Sequence, residues 1–308
     1  MFEKIGNLFL IKPGSPINPE ELEFYKDLKF NKFILFKEHF SEEGFPEKLR
    51  DLSGIFAVDQ EGGRVCRIPG DFPSPLEACR LWQKDKELFT DWAKSIAQSL
   101  LDYGIRINLA PCVDLADENA PEFLRTRTFS KDKDLVITLA KTFIKVHREK
   151  GIFTCIKHFP GLKDVTVDPH VKLPKKDRPD EESLEVFAEI LEEENTFVMT
   201  THLVVEKFDK LPVTFSEKWI RFLREKIGYR GIVFTDDLEM GGAKIFELEE
   251  AILRGFASGH DVVIFCGDWE RLCKAIFEIK SEIEKSRVIK ENLSLSLERI
   301  WKYNLGML

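Results

Sequence analysis

The chain has 308 residues, 43% of them apolar and 32% charged, with a formal net charge of −8. That length allows one large domain or two small ones, and the apolar content can supply a core, which excludes a disordered chain. The acidic balance makes nucleic acid a poor candidate partner, because phosphate binding needs a basic face.

In chain order, short apolar runs recur at Asn7–Ile11, Lys32–Phe36, Ile55–Val58, Ile105–Leu109, Phe153–Lys157, Phe197–Thr201, Ile232–Thr235 and Val262–Cys266. They are continuous rather than alternating, as suits strands covered on both faces in a parallel sheet. The stretches between most of them have helical spacing. Lys84–Tyr103 puts Leu88, Trp92, Ile96 and Leu100 on one face. Asp134–Glu149 and Pro179–Glu193 behave alike, and Ser216–Ile227 opens on a Ser cap. Leu248–Ser258, Trp269–Glu284 and Glu291–Tyr303 complete the set. Eight strands alternating with helices predict an α/β fold, a (β/α)₈ TIM-type barrel with some irregular strands; a doubly wound open sheet is the runner-up. No repeat or linker marks a boundary, so residues 1–308 are expected to form a single catalytic domain.

The six cysteines form no CxxC pair and are expected as buried thiols in a reducing compartment. Met1–Gly6 has no basic segment leading into an apolar one, and no apolar run reaches about 18 residues. A cytoplasmic protein with no membrane partner, monomeric, is therefore expected. Neither GxGxxG nor a Walker pattern occurs, and neither does HExxH, so no nucleotide, cofactor or metal is called for.

Two connections are long and polar, Cys112–Ser130 and His158–Asp180, and long loops in a compact domain usually carry function. A barrel's site lies at the carboxyl ends of its strands. There the sequence puts Asp59-Gln60-Glu61 after the third strand, Asn108 at the fourth, Lys157-His158 at the fifth, His202 after the sixth and Asp236-Asp237 at the seventh. Ionisable groups from several strands at one end point to an enzyme. His202 is as compatible with the core as with a site, and one of the Asp pair could cap the next helix. Asp168-Pro169-His170 is the sharpest signal: in an extended segment residues two apart share a side, and Pro169 biases Asp168 toward extended geometry. Asp168 can then orient the His170 ring and raise its proton affinity, as general acid/base work requires.

These residues lie in stretches that resemble glycoside hydrolase family 3, in particular its single-domain β-N-acetylglucosaminidases of the bacterial cell-wall recycling type. The motifs are Val58-Asp59-Gln60-Glu61-Gly62-Gly63-Arg64-Val65 with Arg67, Asn108-Leu109-Ala110-Pro111 with Asp114, and Arg127-Thr128-Phe129-Ser130. Lys157-His158-Phe159-Pro160-Gly161 with Asp164, Asp168 and His170 comes next, then Val198-Met199 with His202, then Phe234-Thr235-Asp236-Asp237-Leu238 with Met240. The resemblance implies Asp236 as nucleophile, His170 as acid/base supported by Asp168, and Asp59, Arg67, Arg127, Lys157 and His158 as sugar-binding residues. It implies a small carbohydrate substrate, an N-acetylglucosaminide or muropeptide, cleaved with retention and without a cofactor. The sequence departs from the family pattern at Leu162-Lys163, where His-Gly is usual, and at Pro169, where Ser is usual; both lie in the loop that must deliver His170. Phosphorolysis on the same site and a non-catalytic sugar-binding barrel are the alternatives.

Overall fold

Apolar residues on both faces of a strand can be buried only if the sheet is covered inside and out, and a closed barrel does this without leaving an edge. In the computed structural model, which describes residues 2–40 and 52–306, the strands are β1 (Phe9–Ile11), β2 (Lys32–Leu35), β3 (Ile55–Val58), β4 (Ile105–Asn108), β5 (Phe153–Phe159), β6 (Lys175–Lys176), β7 (Thr196–Thr200), β8 (Val204–Val205), β9 (Val233–Asp237) and β10 (Val262–Phe265). Eight of them close a barrel in the order β1-β10-β9-β7-β5-β4-β3-β2, paired in parallel throughout. The (β/α)₈ architecture expected from the sequence is the one observed. β6 and β8 form a separate parallel pair above it.

The expected irregularity is present as register shifts in the β3–β4, β5–β7 and β9–β10 ladders. Such shifts re-aim side chains near sites, and β3, β5 and β9 are the strands that lead to Asp59, Lys157-His158 and Asp236. Boundaries differ where chain chemistry intervenes. Asn7 and Leu8 belong to a 3₁₀ segment, Phe2–Leu8, rather than to β1. The helix expected over Lys84–Tyr103 is Lys86–Asp102, and a further helix, Pro75–Lys84, precedes it. They are broken at Asp85, which is extended and whose carboxylate caps the second through the Glu87 N–H. Ser74 and Glu77 close a reciprocal capping box on the first. The final helix starts at Arg287, earlier than expected, because Ser286 caps it. All six cysteines are free; Cys79, Cys112 and Cys155 are buried, but Cys66, Cys266 and Cys273 are only half-buried, which corrects the expectation of six buried thiols. No helix among the described residues is long and apolar enough to cross a membrane.

One core residue works against stability. Lys32 opens β2 with no exposed surface, and its ammonium donates to the Asn7 carbonyl and to Asn31 Oδ1, both at 2.7 Å. Among the described residues no carboxylate pairs with it. Burial alone pushes its pKa down to about 7. The unfolded chain then binds more protons than the folded one between that value and the ordinary lysine range, so Lys32 makes stability rise with pH across this window. Urea denaturation of Lys32→Met beside the parent chain should give the variant the higher stability near pH 7. That advantage should shrink steadily toward about pH 10. A difference that stays flat with pH would show that Lys32 keeps its proton in the fold.

Candidate active site

The carboxyl ends of the barrel strands surround a cavity of about 360 Å³. All eight residues singled out in the sequence line it: Asp59, Arg67, Arg127, Lys157, His158, Asp168, His170 and Asp236. They arrive from β5, β9 and the loops after β3, β4 and β5.

One wall is built around Lys157. Its ammonium, 2% exposed, donates to Asp59 Oδ1 at 2.5 Å and lies 2.7 Å from Glu61 Oε1. Glu61 also takes both arms of Arg127, Nε to Oε2 and Nη2 to Oε1, each at 2.8 Å. Arg127 spends its remaining arm on the Phe123 carbonyl at 3.2 Å. Arg67 reaches the other oxygen of Asp59 at 4.0 Å and lies over the Phe36 ring, 5.2 Å from its centre. Burial pushes the Asp59 and Glu61 pKa values up, but Lys157 with Arg67, and Arg127 with Lys157, more than reverse this and hold both carboxyls ionised. Burial likewise opposes the Lys157 charge, and the Asp59 and Glu61 carboxylates overcome it. A polar wall that cannot change charge near neutrality is suited to holding hydroxyl groups.

The turn that delivers Arg67 is built locally. Gly62 exchanges backbone hydrogen bonds with Val65, and a Cβ on Gly62 would meet the Pro73 carbonyl at 2.3 Å with φ at +99°. The buried Gln60 side chain accepts the Arg67 and Ile68 N–H groups.

His158 is set from behind. Asp114, fully buried, accepts His158 Nδ1–H at 2.7 Å on one oxygen and the Leu162 N–H at 2.7 Å on the other. Nδ1 therefore carries a proton, and Nε2 faces Arg127 Nη2 at 3.4 Å as an acceptor. Cys112 donates to the same Asp114 oxygen at 3.2 Å. Cys112, Asp114 and His158 are the kind of set that can hold a metal ion, yet these hydrogen bonds already account for their proximity.

The two carboxylates ending β9 differ in how they are engaged. Asp237 Oδ1 accepts the Glu239 and Cys266 N–H groups, both at 3.0 Å. Burial, with the Asp236 charge adding to it, pushes the Asp237 pKa up to about 6. Among the described residues, the Asp236 side chain accepts only the Asp237 N–H, at 2.9 Å, and no ion pair engages it. His202 is buried off the cavity: Nε2–H donates to the Asp237 carbonyl and Nδ1 accepts from Thr214, both at 2.9 Å. Of its two sequence readings, the core one fits.

The Asp168–His170 pair forms, but in a turn closed by the Asp168 carbonyl on the Val171 and Lys172 N–H groups rather than in the extended segment expected. One oxygen of Asp168 accepts both the His170 N–H at 2.9 Å and Nδ1–H at 2.7 Å. Burial raises the Asp168 pKa, but these bonds outweigh it and hold the carboxyl below its usual range. The ring itself is well exposed, its side chain at 57%. Sequence reasoning quoted Glu61 and Asp114 within motifs but gave them no role. Their importance rests on partners 66 and 44 residues away, for which no local signal exists.

Fold and site together define a barrel enzyme whose catalytic end combines carboxylates with buried cations. Residues 39–303 match the glycosyl hydrolase family 3 N-terminal domain, and the chain belongs to that family: it is a glycoside hydrolase. A β-hexosaminidase of Alkalilimnicola ehrlichii is 30% identical over 285 residues, covering 85% of this chain and 81% of its own. One from Methylobacillus flagellatus is 26% identical over 303 residues, covering 91% and 86%. Among solved structures, the β-N-acetylglucosaminidase from Thermotoga maritima is 25% identical with a TM-score of 0.84, over 97% of this chain and 66% of that one. A β-N-acetylhexosaminidase from Beutenbergia cavernae shares the fold at 23% identity and a TM-score of 0.85, over 98% and 97%.

Glu61 gives the wall its sharpest test. Glu61→Gln keeps the shape but removes one of two charges facing Lys157, Arg127 and Arg67. Breaking a buried pair from one side costs about 3–5 kcal/mol. Urea denaturation should show a loss of that order, and a loss below about 1 kcal/mol would mean the wall relaxes around the missing charge.

Proposed function

We propose that the protein is a retaining exo-β-N-acetylglucosaminidase that removes terminal β-linked N-acetylglucosamine from muropeptide fragments, in cytoplasmic peptidoglycan recycling. One observation carries the reading: Asp236, a carboxylate with capacity to spare, lines the same cavity as a His–Asp pair. The names of the β-hexosaminidase and β-N-acetylglucosaminidase relatives support the sugar, and the resemblance to cell-wall recycling enzymes supports the setting.

Asp236 attacks the anomeric carbon as the bond to the leaving oxygen breaks, and His170 protonates that oxygen. The sugar is then held as a glycosyl ester of Asp236. His170, now without its extra proton, takes one from water, which displaces the ester and restores Asp236 with overall retention. Asp168 keeps Nδ1 protonated, so the proton is passed at Nε2. Asp59, Arg67, Arg127, Lys157 and His158 hold the sugar hydroxyls. The usual second carboxylic acid is replaced here by a histidine on a loop.

Turnover of an aryl β-N-acetylglucosaminide should exceed that of the matching glucoside by about tenfold or more; equal rates would overturn the assigned sugar. Asp236→Asn should cost several powers of ten, at about 1.4 kcal/mol of barrier each, and a 2-fluoro sugar should label Asp236. Asp237→Asn should cost far less, and the reverse order would reassign the nucleophile.

The proton donor is tested by leaving-group chemistry. His170→Ala should slow substrates with basic leaving groups most, while activated aryl substrates keep their first step. Asp168→Ala should weaken the same step, and the two losses should be strongly non-additive because one unit is broken twice. A double variant showing the full sum would falsify the coupled pair.

A further inference from the structure

We infer that Gly241 and Gly242 are positioning residues for the acid/base: their two N–H groups latch the turn bearing His170 onto the loop that follows Asp236. The inference rests on the proposed roles of His170 and Asp236.

The turn has little else to hold its tip. The Asp168 carbonyl accepts the Val171 and Lys172 N–H groups at 3.0 and 3.1 Å, and the Asp168 carboxylate takes that of His170, so the segment is closed on itself. Of its side chains Pro169 is buried, Asp168 and His170 face the cavity, and Val171 is 77% exposed. The anchors on either side are Leu162, tied to Asp114, with the buried Val165 before the turn, and β6, paired with β8, after it. Between them, the outward-facing carbonyls of the turn find two donors. Gly241 N–H donates to the His170 carbonyl and Gly242 N–H to the Pro169 carbonyl, each at 2.9 Å.

Glycine is required there by close approach. A Cβ on Gly241 would lie 2.2 Å from the Val171 carbonyl oxygen and 2.5 Å from its carbon. A Cβ on Gly242 would lie 2.7 Å from the His202 Cβ and 3.0 Å from the Pro169 carbonyl oxygen. His202 is itself bonded to the Asp237 carbonyl. A short rigid path thus runs from β9 through Asp237, His202 and Gly242 to Pro169 and His170. The nucleophile and the proton donor, which come from different strands, are held by one backbone frame. Orientation of reacting groups is a large part of catalysis, and a displacement of about 1 Å can cost a hundredfold.

Amide hydrogen exchange on the unliganded wild-type enzyme tests the latch without reference to activity. The Gly241 and Gly242 amides should be protected, and Gly241→Ala should speed exchange in the segments around 168–172 and 241–242 while the barrel strands keep their protection. In kinetics, Gly241→Ala and Gly242→Ala should lower kcat by about tenfold to a hundredfold on N-acetylglucosaminides with basic alkyl leaving groups. The glycosylation burst on an activated dinitrophenyl substrate and the KM values should change by less than about threefold. Wild-type amides at Gly241 and Gly242 that exchange as fast as free loop residues would overturn the latch. So would equal losses on both substrate types. If the wild-type enzyme leaves N-acetylglucosaminides uncleaved, the proposed function falls, and the exchange experiment still decides whether the turn is latched.

Discussion

Everything at the catalytic end depends on how the buried Lys157 ammonium is compensated. A lone charge there would cost far more than the fold can supply, so two carboxylates, Asp59 and Glu61, are brought within hydrogen-bond reach. Glu61 then has an oxygen and a half to spare, and Arg127 takes them in a bidentate pair. Arg67 leans on the far side of Asp59. None of the five can move without stripping a partner from another. The network therefore ties β3, β5 and the loop after β4 to one register at their carboxyl ends. Stability is a poor reason to build such a cluster, since apolar residues would fill the space as well or better. A fixed array of donors and acceptors in a concave wall has a better reason in substrate recognition.

The barrel was legible because its strands are apolar on both faces. Continuous runs such as Val262–Cys266 have no polar residue to place toward solvent, and the structure leaves β10 fully buried. Boundaries were less legible where a cap overrides periodicity. Asp85 sits inside a helical pattern and still ends one helix and starts the next, because its carboxylate offers the Glu87 N–H a better bond than continuation would. The helix at Pro75 was overlooked although its signal is local: Ser74, Pro75 and Glu77 are a capping box with proline at the first helical position.

At the site, residues that meet the cavity were legible and residues that stand behind them were not. Asp168 and His170 are two apart, and although the segment is a turn rather than extended, the Asp168 carboxylate folds back onto both the His170 N–H and its ring. Glu61 and Asp114 act through partners far along the chain, and a carboxylate in a motif looks the same whether it faces ligand or supports a neighbour. Gly241 and Gly242 carry no local signal either. Their φ angles are not in the left-handed region, and what opposes a side chain lies far along the chain, the Val171 backbone for Gly241 and the His202 Cβ, ahead of the Pro169 carbonyl, for Gly242.

The neighbouring aspartates of β9 show how the fold divides labour between like groups. Two adjacent carboxylates repel, and burial penalises both charges. At Asp237 the environment answers with the Glu239 and Cys266 N–H groups, which spends that side chain on joining β9 to the end of β10. Asp236 receives a single backbone donor and keeps its lone pairs toward the cavity. The proposed nucleophile role needs this condition, because every hydrogen bond donated to a carboxylate lowers its readiness to attack. The same logic separates the two histidines. His158 is buried and fixed at Nδ1 by Asp114, with Nε2 beside Arg127. His170 has its Nδ1 fixed by Asp168 and its ring open to water, the arrangement that the proposed acid/base role calls for.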